Sequence, residues 1–509
     1  MDRLNKTILN YYIRRAKRLE VRGVRLDAKD MREDAGVGFA YGIAKSMGID
    51  TEGMSPAEVF EAIKKKGGPG AAKKSGTIAG KQGKIGAKVI KVKGMSPKEV
   101  RAFNGKTKAM SKEYYDKATD ITKEHENRSL LTFTSHGEDH IRQVVEKTNQ
   151  AADAIEMLKD DNKIYGGTVD RKLLLAAAQF HDTGMDGGNF RKYETKLDNK
   201  GEMKVAGDWL RDDHGLNSAI HILERAKDFE KIGVNPEQCA LLAFAHTKSK
   251  SEVRDLTKPE HWELALQKTE AAVKEYNSIH PDKKISFDRN KVFEGGKPTA
   301  ENIGMMASAT AALRLGDANR EANIPLKSQA GGEYKIDKMP KGEFGSREEE
   351  AAAAVISITD KDGRHVLEAD DSKLGDVPGF AYSKHIVLGE RNMVNVDTRY
   401  SKAHNTLVES VALRNGNDVP YSTTSVLMER IGELSTINGV PRAMQIHMSG
   451  VKNIDKMSPS ARKAYDKMWD DVQQKHPGIA DVVIVFDDGS DYSYKDNKSN
   501  KNNKNNKKH

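Results

Sequence analysis

Residues 173–184, with the sequence LLLAAAQFHDTG, contain the stretch that decides the fold of this chain. Leu173, Leu174, Ala177 and Phe180 recur at the spacing of one helix face, which predicts a buried helix. That helix ends in an adjacent histidine and aspartate. Such a pair is common by chance, so its meaning depends on the residues around it and on the rest of the chain.

The same helical spacing recurs on both sides of this stretch, over about 110–325. Apolar residues mark one face of a preceding helix and one face of a following helix, at Ile141, Val144, Val145, Ala151, Ala152, Ile155 and Leu158, and at Leu216, Ala219, Ile220 and Leu223. The apolar runs 240–245 and 303–315 complete at least five helices. The sequence therefore predicts a mainly α fold with a helical bundle as its core.

Six side chains that can bind a metal lie at or near the predicted ends of these helices. They are His140 and His214 at helix starts, His181, Asp182 and His246 at helix ends, and Asp317 near the end of the last helix. Antiparallel helices can bring all six to one end of a bundle. Imidazole and carboxylate together suit Fe, Mn, Zn or Co. We therefore predict a metal centre.

Three motifs around these residues resemble those of the HD superfamily of metal-dependent phosphohydrolases. They are SHGEDHIRQV at 135–144, FHDTG at 180–184 and LRLGDA at 313–318, and they follow one another in the order of the family. Two further stretches, DHGLNSA at 213–219 and AFAHTKS at 243–249, resemble the additional ligands of its binuclear members. The resemblance covers roughly 130–325, which is under half of the chain.

The resemblance implies a site for one or two divalent ions of Mn, Fe, Zn, Co or Mg. His140, His181, Asp182 and Asp317 would hold the first, and His214 and His246 would complete the second, with Asp182 bridging. The implied reaction is hydrolysis of a phosphate ester, a nucleotide or a cyclic nucleotide, by a metal-activated hydroxide.

Further residues receive roles with an alternative left open. Lys248 and Arg320 are predicted to stabilise charge during catalysis and, with Arg142, to bind substrate phosphate; each can equally be an ordinary surface cation. His136 is interpreted as a supporting residue and His221 as a packed histidine. His385, His404 and His447 are assigned no role.

Two subgroups of the family are disfavoured. Met185 stands where the HD-GYP subgroup has a lysine, and a Gly-Tyr-Pro stretch is absent from the sequence. Asp186 stands beside Met185 and Gly187, so the adjacent Glu-Asp pair of the ppGpp hydrolases is also missing.

The chain of 509 residues is too long for one ordinary core. Changes in composition along the chain indicate where its segments begin and end. We predict an N-terminal helical segment at 1–66, a basic Gly/Lys linker at 67–109, the phosphohydrolase domain at 110–325, an irregular insertion or linker at 326–380, a small α/β accessory domain at 381–490 and a disordered Asn/Lys tail at 491–509. Within the accessory domain, strands are predicted at 385–388, 406–408, 444–447 and 482–485, with helices near 424–436 and 459–475.

Two lysine-rich segments carry the positive charge of the chain, which totals +9. Residues 64–93 contain ten lysines and no acidic residue, and residues 491–509 contain six lysines and two aspartates. Such segments can bind nucleic acid, although a solvated linker and tail is the favoured interpretation. The alternative functions are thus a nucleic-acid-binding protein and an HD nuclease that uses the linker and tail.

Composition also predicts the compartment. Cys239, the single cysteine, excludes an intramolecular disulfide and fits a reducing environment. The N-terminus has no signal-peptide core, and the apolar run at 173–178 is far shorter than the ~20 residues that span a bilayer. We therefore expect a cytoplasmic protein without a membrane span, acting on a small phosphorylated substrate. The oligomeric state is left open.

Overall fold

The fold is known from a computed structural model of the chain. It describes residues 90–124, 134–158, 168–187, 196–197, 203–204, 206–319, 326–328, 332–342, 344–359, 365–367, 380–402, 405–414, 416–417, 420–434, 442–476 and 478–495. The predicted N-terminal helical segment at 1–66 lies outside these ranges. Most of the basic linker and most of the tail also lie outside these ranges. The nucleic-acid alternative depends on those two segments, so it stays a prediction.

Eight α-helices form the first part of the described chain. They are α1 (Pro97–Glu124), α2 (Glu138–Glu156), α3 (Arg171–Phe180), α4 (Ala206–Glu224), α5 (Ala226–Lys231), α6 (Pro236–Ala245), α7 (Pro259–Ile279) and α8 (Gly304–Ala318). A short 3₁₀ helix, Thr183–Asp186, follows α3, and a two-stranded hairpin of β1 (Lys196–Leu197) and β2 (Met203–Lys204) precedes α4. The predicted helical core is confirmed.

Helix α3 is the centre of this core. Asp170 caps its first turn by accepting hydrogen bonds from the backbone N–H groups of Lys172 and Leu173. Every residue from Leu173 to Ala178 is buried, because α1, α2, α6 and α8 all pack against this helix. A helix that is apolar on all sides is stable only when it is enclosed in this way. The end of α3 is therefore placed inside the protein.

Two glycines allow the helices beside α3 to approach closely. A Cβ atom on Gly316 of α8 would lie 2.0 Å from the side-chain oxygen of Thr148 in α2. A Cβ atom on Gly184, just after α3, would lie 2.0 Å from the carbonyl oxygen of His214 in α4. Larger residues would therefore separate these elements.

The second part of the described chain is an α/β unit. It contains β3 (Tyr334–Lys338), α9 (Arg347–Ala353), β4 (Val355–Thr359), β5 (His365–Leu367), α10 (Phe380–Glu390), β6 (Met393–Ser401), β7 (Thr406–Leu413), α11 (Tyr421–Leu434), β8 (Arg442–Met448), α12 (Pro459–Lys475), β9 (Ile479–Val485) and β10 (Asp491–Ser493). The predicted smaller C-terminal α/β region is confirmed.

Two sheets organise this unit. Strands β3, β4 and β5 form a small antiparallel sheet. The larger sheet has the order β10-β9-β8-β7-β6, with β7, β8 and β9 parallel and β6 and β10 antiparallel at the two edges. Helices α11 and α12 connect the parallel strands, as parallel pairing requires a crossover.

The structure corrects several predicted boundaries. Residues 97–109 are the beginning of α1 rather than linker, because Val100 and Phe103 are buried in the core. The described residues of 326–380 include three strands and α9, so this segment is not simply an irregular linker. The predicted disordered tail begins too early, since 491–493 form β10.

One predicted strand is a helix. The apolar run at 385–388, which the sequence predicts as a strand, lies within α10. Val387 and Leu388 pack there with Ile356 of β4 in a separate small core. Short apolar runs fit either kind of element, and here the tertiary packing decides for the helix.

The α/β unit is docked on the two helices α2 and α8. The Lys147 ammonium of α2 donates to the side-chain oxygen of Asn395 in β6 at 3.2 Å. The Asn319 amide, directly after α8, donates to the Thr398 hydroxyl at 3.2 Å, and that hydroxyl donates to the buried Glu409 carboxylate at 2.9 Å. Two hydrogen bonds thus cross the junction, and Thr398 links one of them to Glu409 within the sheet.

Among the helices that the structure describes, none combines enough length with enough apolar character to cross a bilayer.

Candidate metal centre

Four of the predicted ligands meet at one end of the helical core. His140 lies in the first turn of α2, His181 caps the end of α3, Asp182 follows it, and Asp317 lies in the last turn of α8. The Nε2 atom of His140 lies 3.3 Å from Asp182 Oδ2 and 3.2 Å from Asp317 Oδ1. The Nε2 atom of His181 lies 3.0 Å from Asp182 Oδ2 and 3.5 Å from Asp317 Oδ1. We call this group the first site.

A second group forms around the other oxygen of Asp182. His214 Nε2 lies 3.2 Å from Asp182 Oδ1, and His246 Nε2 lies 3.5 Å from the same atom. The two imidazole nitrogens are 3.0 Å apart. We call this group the second site. Each of the two groups has its ligand atoms within 4.8 Å of one another, so each can surround one cation.

The position of His214 along its helix differs from the prediction. The sequence pattern placed it at a helix start, whereas α4 already begins at Ala206. His214 therefore reaches the second site from within α4. Gly184 makes this possible, because its missing side chain leaves room for the backbone of His214.

Two of the histidines have their protonated ring nitrogen fixed by the backbone. His181 Nδ1 donates to the carbonyl of Ala178 at 2.9 Å, and His246 Nδ1 donates to the carbonyl of Ala243. A carbonyl oxygen can only accept, so Nδ1 carries a proton in both rings. Nε2 is thereby left facing the site, which is the arrangement found in metal-ligating histidines.

The backbone around His181 is also held by side chains. Ser218 of α4 donates to the carbonyl of His181 at 2.7 Å and accepts from the N–H of Gly184 at 2.8 Å. Thr183 donates to the carbonyl of Phe180 at 2.9 Å. These bonds satisfy carbonyls at the end of α3 that have no partner within the helix.

A buried arginine supports the second site. Arg314 of α8 donates through Nε at 3.1 Å and through Nη2 to the carbonyl of Ala245, and Nη2 also donates to the carbonyl of Val253 at 2.7 Å. Ala245 is the residue before His246, so the guanidinium fixes the end of α6 from which His246 projects.

The chemistry of the residues fits a metal ion. His140 Nε2, His181 Nε2 and Asp182 Oδ2 are all buried and make no hydrogen bond within the described part of the chain, although they lie at ion-pair distance. Buried polar atoms are normally hydrogen-bonded, and exceptions indicate a missing partner such as an ion. A cation shared by these atoms would supply that partner.

The first site is strongly charged. Burial lowers the pKa of His140, but contact with Asp182 and Asp317 outweighs burial and raises that pKa from 6.5 to about 9. The same opposition leaves the pKa of His181 well above its usual range. Burial raises the pKa of Asp182 and Asp317, yet the neighbouring imidazoles hold both pKa values well below normal. Without a bound metal, the first site is therefore a set of imidazolium–carboxylate pairs.

The second site differs in its protonation. Burial lowers the pKa of His246 below 6.5, and contact with Asp182 offsets only part of that effect. A neutral imidazole is the form that binds a metal. His246 is therefore ready for a metal at neutral pH.

Exposure shows where a substrate can approach. The side chain of Asp317 is 34% exposed, that of His140 24% and that of His214 14%, whereas His181 is fully buried. The ring of His136 borders this open side, with its centroid 5.5 Å from that of His140 and 6.4 Å from that of His214. Sequence reasoning treated His136 as a supporting residue; its place beside both sites has no separate signal in the sequence.

Two of the three predicted phosphate-binding residues lie in the part of the chain that the structure describes. Arg142 is exposed on α2, and a separation of two residues turns its side chain about 200° around the helix from His140. Lys248 is half-buried two residues after His246. Arg320 lies outside the described residues. Their roles stay predictions.

Three further histidines of the described chain, His221, His385 and His447, belong to neither ligand group. His221 is buried in α4 and stacks on Tyr114 at 4.0 Å between ring centroids, which confirms the interpretation as a packed histidine. His385 is buried in α10 and His447 lies in β8, where its Nε2 atom is 3.2 Å from the Gln445 side chain. His404 lies outside the described residues.

Comparison with known proteins gives no family assignment. No family model, no curated protein and no solved structure matches the chain. The metal centre therefore rests on the geometry of its own residues.

Proposed function

We propose that this protein is a metal-dependent phosphohydrolase of the HD type that hydrolyses phosphate esters. The observation that carries the proposal is the position of Asp182. Its Oδ2 atom faces His140 and His181, and its Oδ1 atom faces His214 and His246. One carboxylate shared by two histidine groups is the arrangement expected of a binuclear hydrolytic site.

The order of these residues along the chain supports the same proposal. The geometry brings together the six residues that the HD-like motifs single out, although they span 140–317. A chance resemblance of short motifs would not place all six side chains at one end of a helical core.

The chain's own residues would bind, orient and protect the reacting group. The first site would hold one divalent ion and the second site another. Divalent ions in such sites lower the pKa of a water molecule and neutralise charge on a phosphoryl oxygen. Burial of His181 and Asp182 keeps bulk water from the inner side of the site. His136, beside the open face, is placed to donate an N–H to the phosphoryl group or to the leaving oxygen.

The substrate and its surroundings follow from the resemblance. We propose a nucleotide or cyclic nucleotide as the phosphate ester, with Lys248 and Arg320 as cations for its phosphate. Cys239 is a buried free thiol, which fits a reducing compartment, and we place the activity in the cytoplasm.

Hydrolysis of a generic phosphomonoester and a generic phosphodiester, with added Mn²⁺ or Fe²⁺, tests the proposal. Wild-type protein should turn over one of them, and His181→Ala and Asp182→Ala should lose activity by a thousandfold or more, on the order of the several kcal/mol that a catalytic metal supplies. His447→Ala, a histidine outside both ligand groups, should keep full activity. Equal turnover in wild type and the two ligand variants would refute a catalytic role for the site.

A further inference from the structure

Helix α1 touches the metal centre from outside the segment that supplies the ligands. The hydroxyl of Tyr115 donates to the carbonyl of Gln179 at 2.8 Å, and the backbone of Asp182 acts on the pKa of the same phenol. One turn earlier on α1, the Ser111 hydroxyl accepts from the side-chain amide of Gln179 at 3.1 Å. Two residues of α1 therefore hold the end of α3.

The carbonyl of Gln179 needs a partner from elsewhere in the protein. It belongs to the last turn of α3, where carbonyls have no partner within the helix. Its neighbours are satisfied by His181 at Ala178, by Thr183 at Phe180 and by Ser218 at His181 itself. The Tyr115 hydroxyl completes this row of four carbonyls.

The position of this hydrogen bond determines what it can influence. Gln179 precedes His181 by two residues, and Asp182 supplies one oxygen to each site. A shift of this short stretch would therefore move a ligand of the first site and the carboxylate shared by both sites. Groups that hold metal ligands in place commonly contribute about 10–100-fold to metal affinity.

We propose that Tyr115 is a positioning residue of the metal centre. Its phenol holds the backbone at the end of α3 by a hydrogen bond and so fixes the orientation of the His181 and Asp182 side chains. Ser111 supports this position through its hydrogen bond to the Gln179 side chain. Helix α1 is thus part of the metal-binding unit, although it carries no ligand. The inference rests on the metal centre of the proposed function.

The neighbouring Tyr114 provides a matched control. It is the preceding residue of α1 and is buried, but its ring stacks on His221, and its hydroxyl interacts with Arg225. Tyr114→Phe removes the same oxygen atom from the same helix without touching a ligand or the backbone beside one.

Binding of Co²⁺ to the full chain, followed by visible absorption and by competition with a chelator, tests the inference. Tyr115→Phe should bind Co²⁺ at least about tenfold more weakly than wild type and show a changed ligand-field spectrum, because the ligands are less well aimed. Ser111→Ala should show a smaller loss in the same direction. Tyr114→Phe should match wild type within about twofold.

Several outcomes would overturn the inference. Unchanged affinity and spectrum in Tyr115→Phe would do so, and so would an equal loss in Tyr114→Phe, which would indicate general packing of α1. Thermal unfolding in the presence of a chelator separates folding defects from metal binding, and Ser111→Ala keeps the inference testable if Tyr115→Phe does not fold. Absence of Co²⁺ binding in wild type would refute the proposed function itself.

Discussion

The first and second sites share Asp182 but differ in charge and in protonation. The first site has two carboxylates and two histidines whose pKa values are raised, with that of His140 at about 9. The second site has only the shared carboxylate, and the pKa of His246 is lowered by burial. Once its imidazoles have lost their protons, the first site has two carboxylates to attract a cation, whereas the second site has one and a His246 imidazole that is already neutral at neutral pH. This difference predicts sequential loading above about pH 9, where His140 is deprotonated, with the first site filled before the second.

Substitution of the shared carboxylate should have the largest effect. Asp182→Ala removes a ligand from both groups, so we expect it to retain neither metal and to lose phosphoester hydrolysis by about a thousandfold or more. Asp317→Ala removes a ligand from the first site alone, so the three ligands of the second site remain. Metal content by mass spectrometry should show less metal in Asp182→Ala than in Asp317→Ala. Two ions retained by Asp182→Ala would contradict the shared role of this residue.

The second-largest expected effect is a different pH dependence of metal binding at the two sites. Below about pH 9 the His140 imidazole is protonated, because its pKa is about 9, and contact with Asp182 and Asp317 holds the pKa of His181 well above its usual range as well. A metal must displace these protons, so affinity at the first site should rise with pH towards about 9, by up to about a hundredfold per pH unit if two protons leave. His246 has a pKa below 6.5 and should release no proton above neutral pH.

Calorimetry in two buffers of different ionisation enthalpy measures the protons released on binding. His214→Ala leaves the first site complete, and its titration should still show proton release at pH 7. Asp317→Ala, titrated in the same way, should show less. Proton release that is equal in the two variants would remove the distinction between the sites.

Sequence reasoning succeeded where one local signal was enough. His181 and Asp182 follow an apolar helix, and this pattern alone predicts both the buried helix and the position of the pair at its end. Tyr115 could not be predicted in this way, because its role depends on the packing of α1 against the end of α3, and α1 begins inside a segment that its lysines and glycines mark as a linker. The spacing of apolar residues reports which face of a helix is buried, but it does not report which other helix that face meets.

The run at 385–388 shows the same limit for the fold. Its β-branched and apolar residues favour a strand, but His385 is buried and lies 3.6 Å from the Glu429 carboxylate of α11, while Val387 and Leu388 fill the small core around Ile356. These contacts join residues that are far apart in sequence, so propensity is overridden by packing.

Two glycines allow a third, smaller test of the difference between the two sites. Gly316 lies beside the first site and Gly184 beside the second. Gly316→Ala would place a Cβ 2.0 Å from the Thr148 hydroxyl. This would push α8, which carries Asp317, away from α2, which carries His140. Gly184→Ala would place a Cβ 2.0 Å from the carbonyl of His214 and push α4 away from the second site. Each substitution should lower the free energy of unfolding by about 1–3 kcal/mol, the usual cost of overpacking.

Gly105 of α1 is the matched control for these two substitutions. A Cβ added at Gly105 meets no atom within 4 Å, so Gly105→Ala should stabilise the protein by up to about 1 kcal/mol through helix propensity alone. Urea unfolding and metal content, measured on all three variants, separate stability from binding. Gly316→Ala should weaken binding at the first site more than at the second, and Gly184→Ala should weaken the second more than the first. If both variants instead lost the two metals in parallel, the two sites would have to move as one rigid unit around Asp182, and the separate effect expected of each glycine would be wrong.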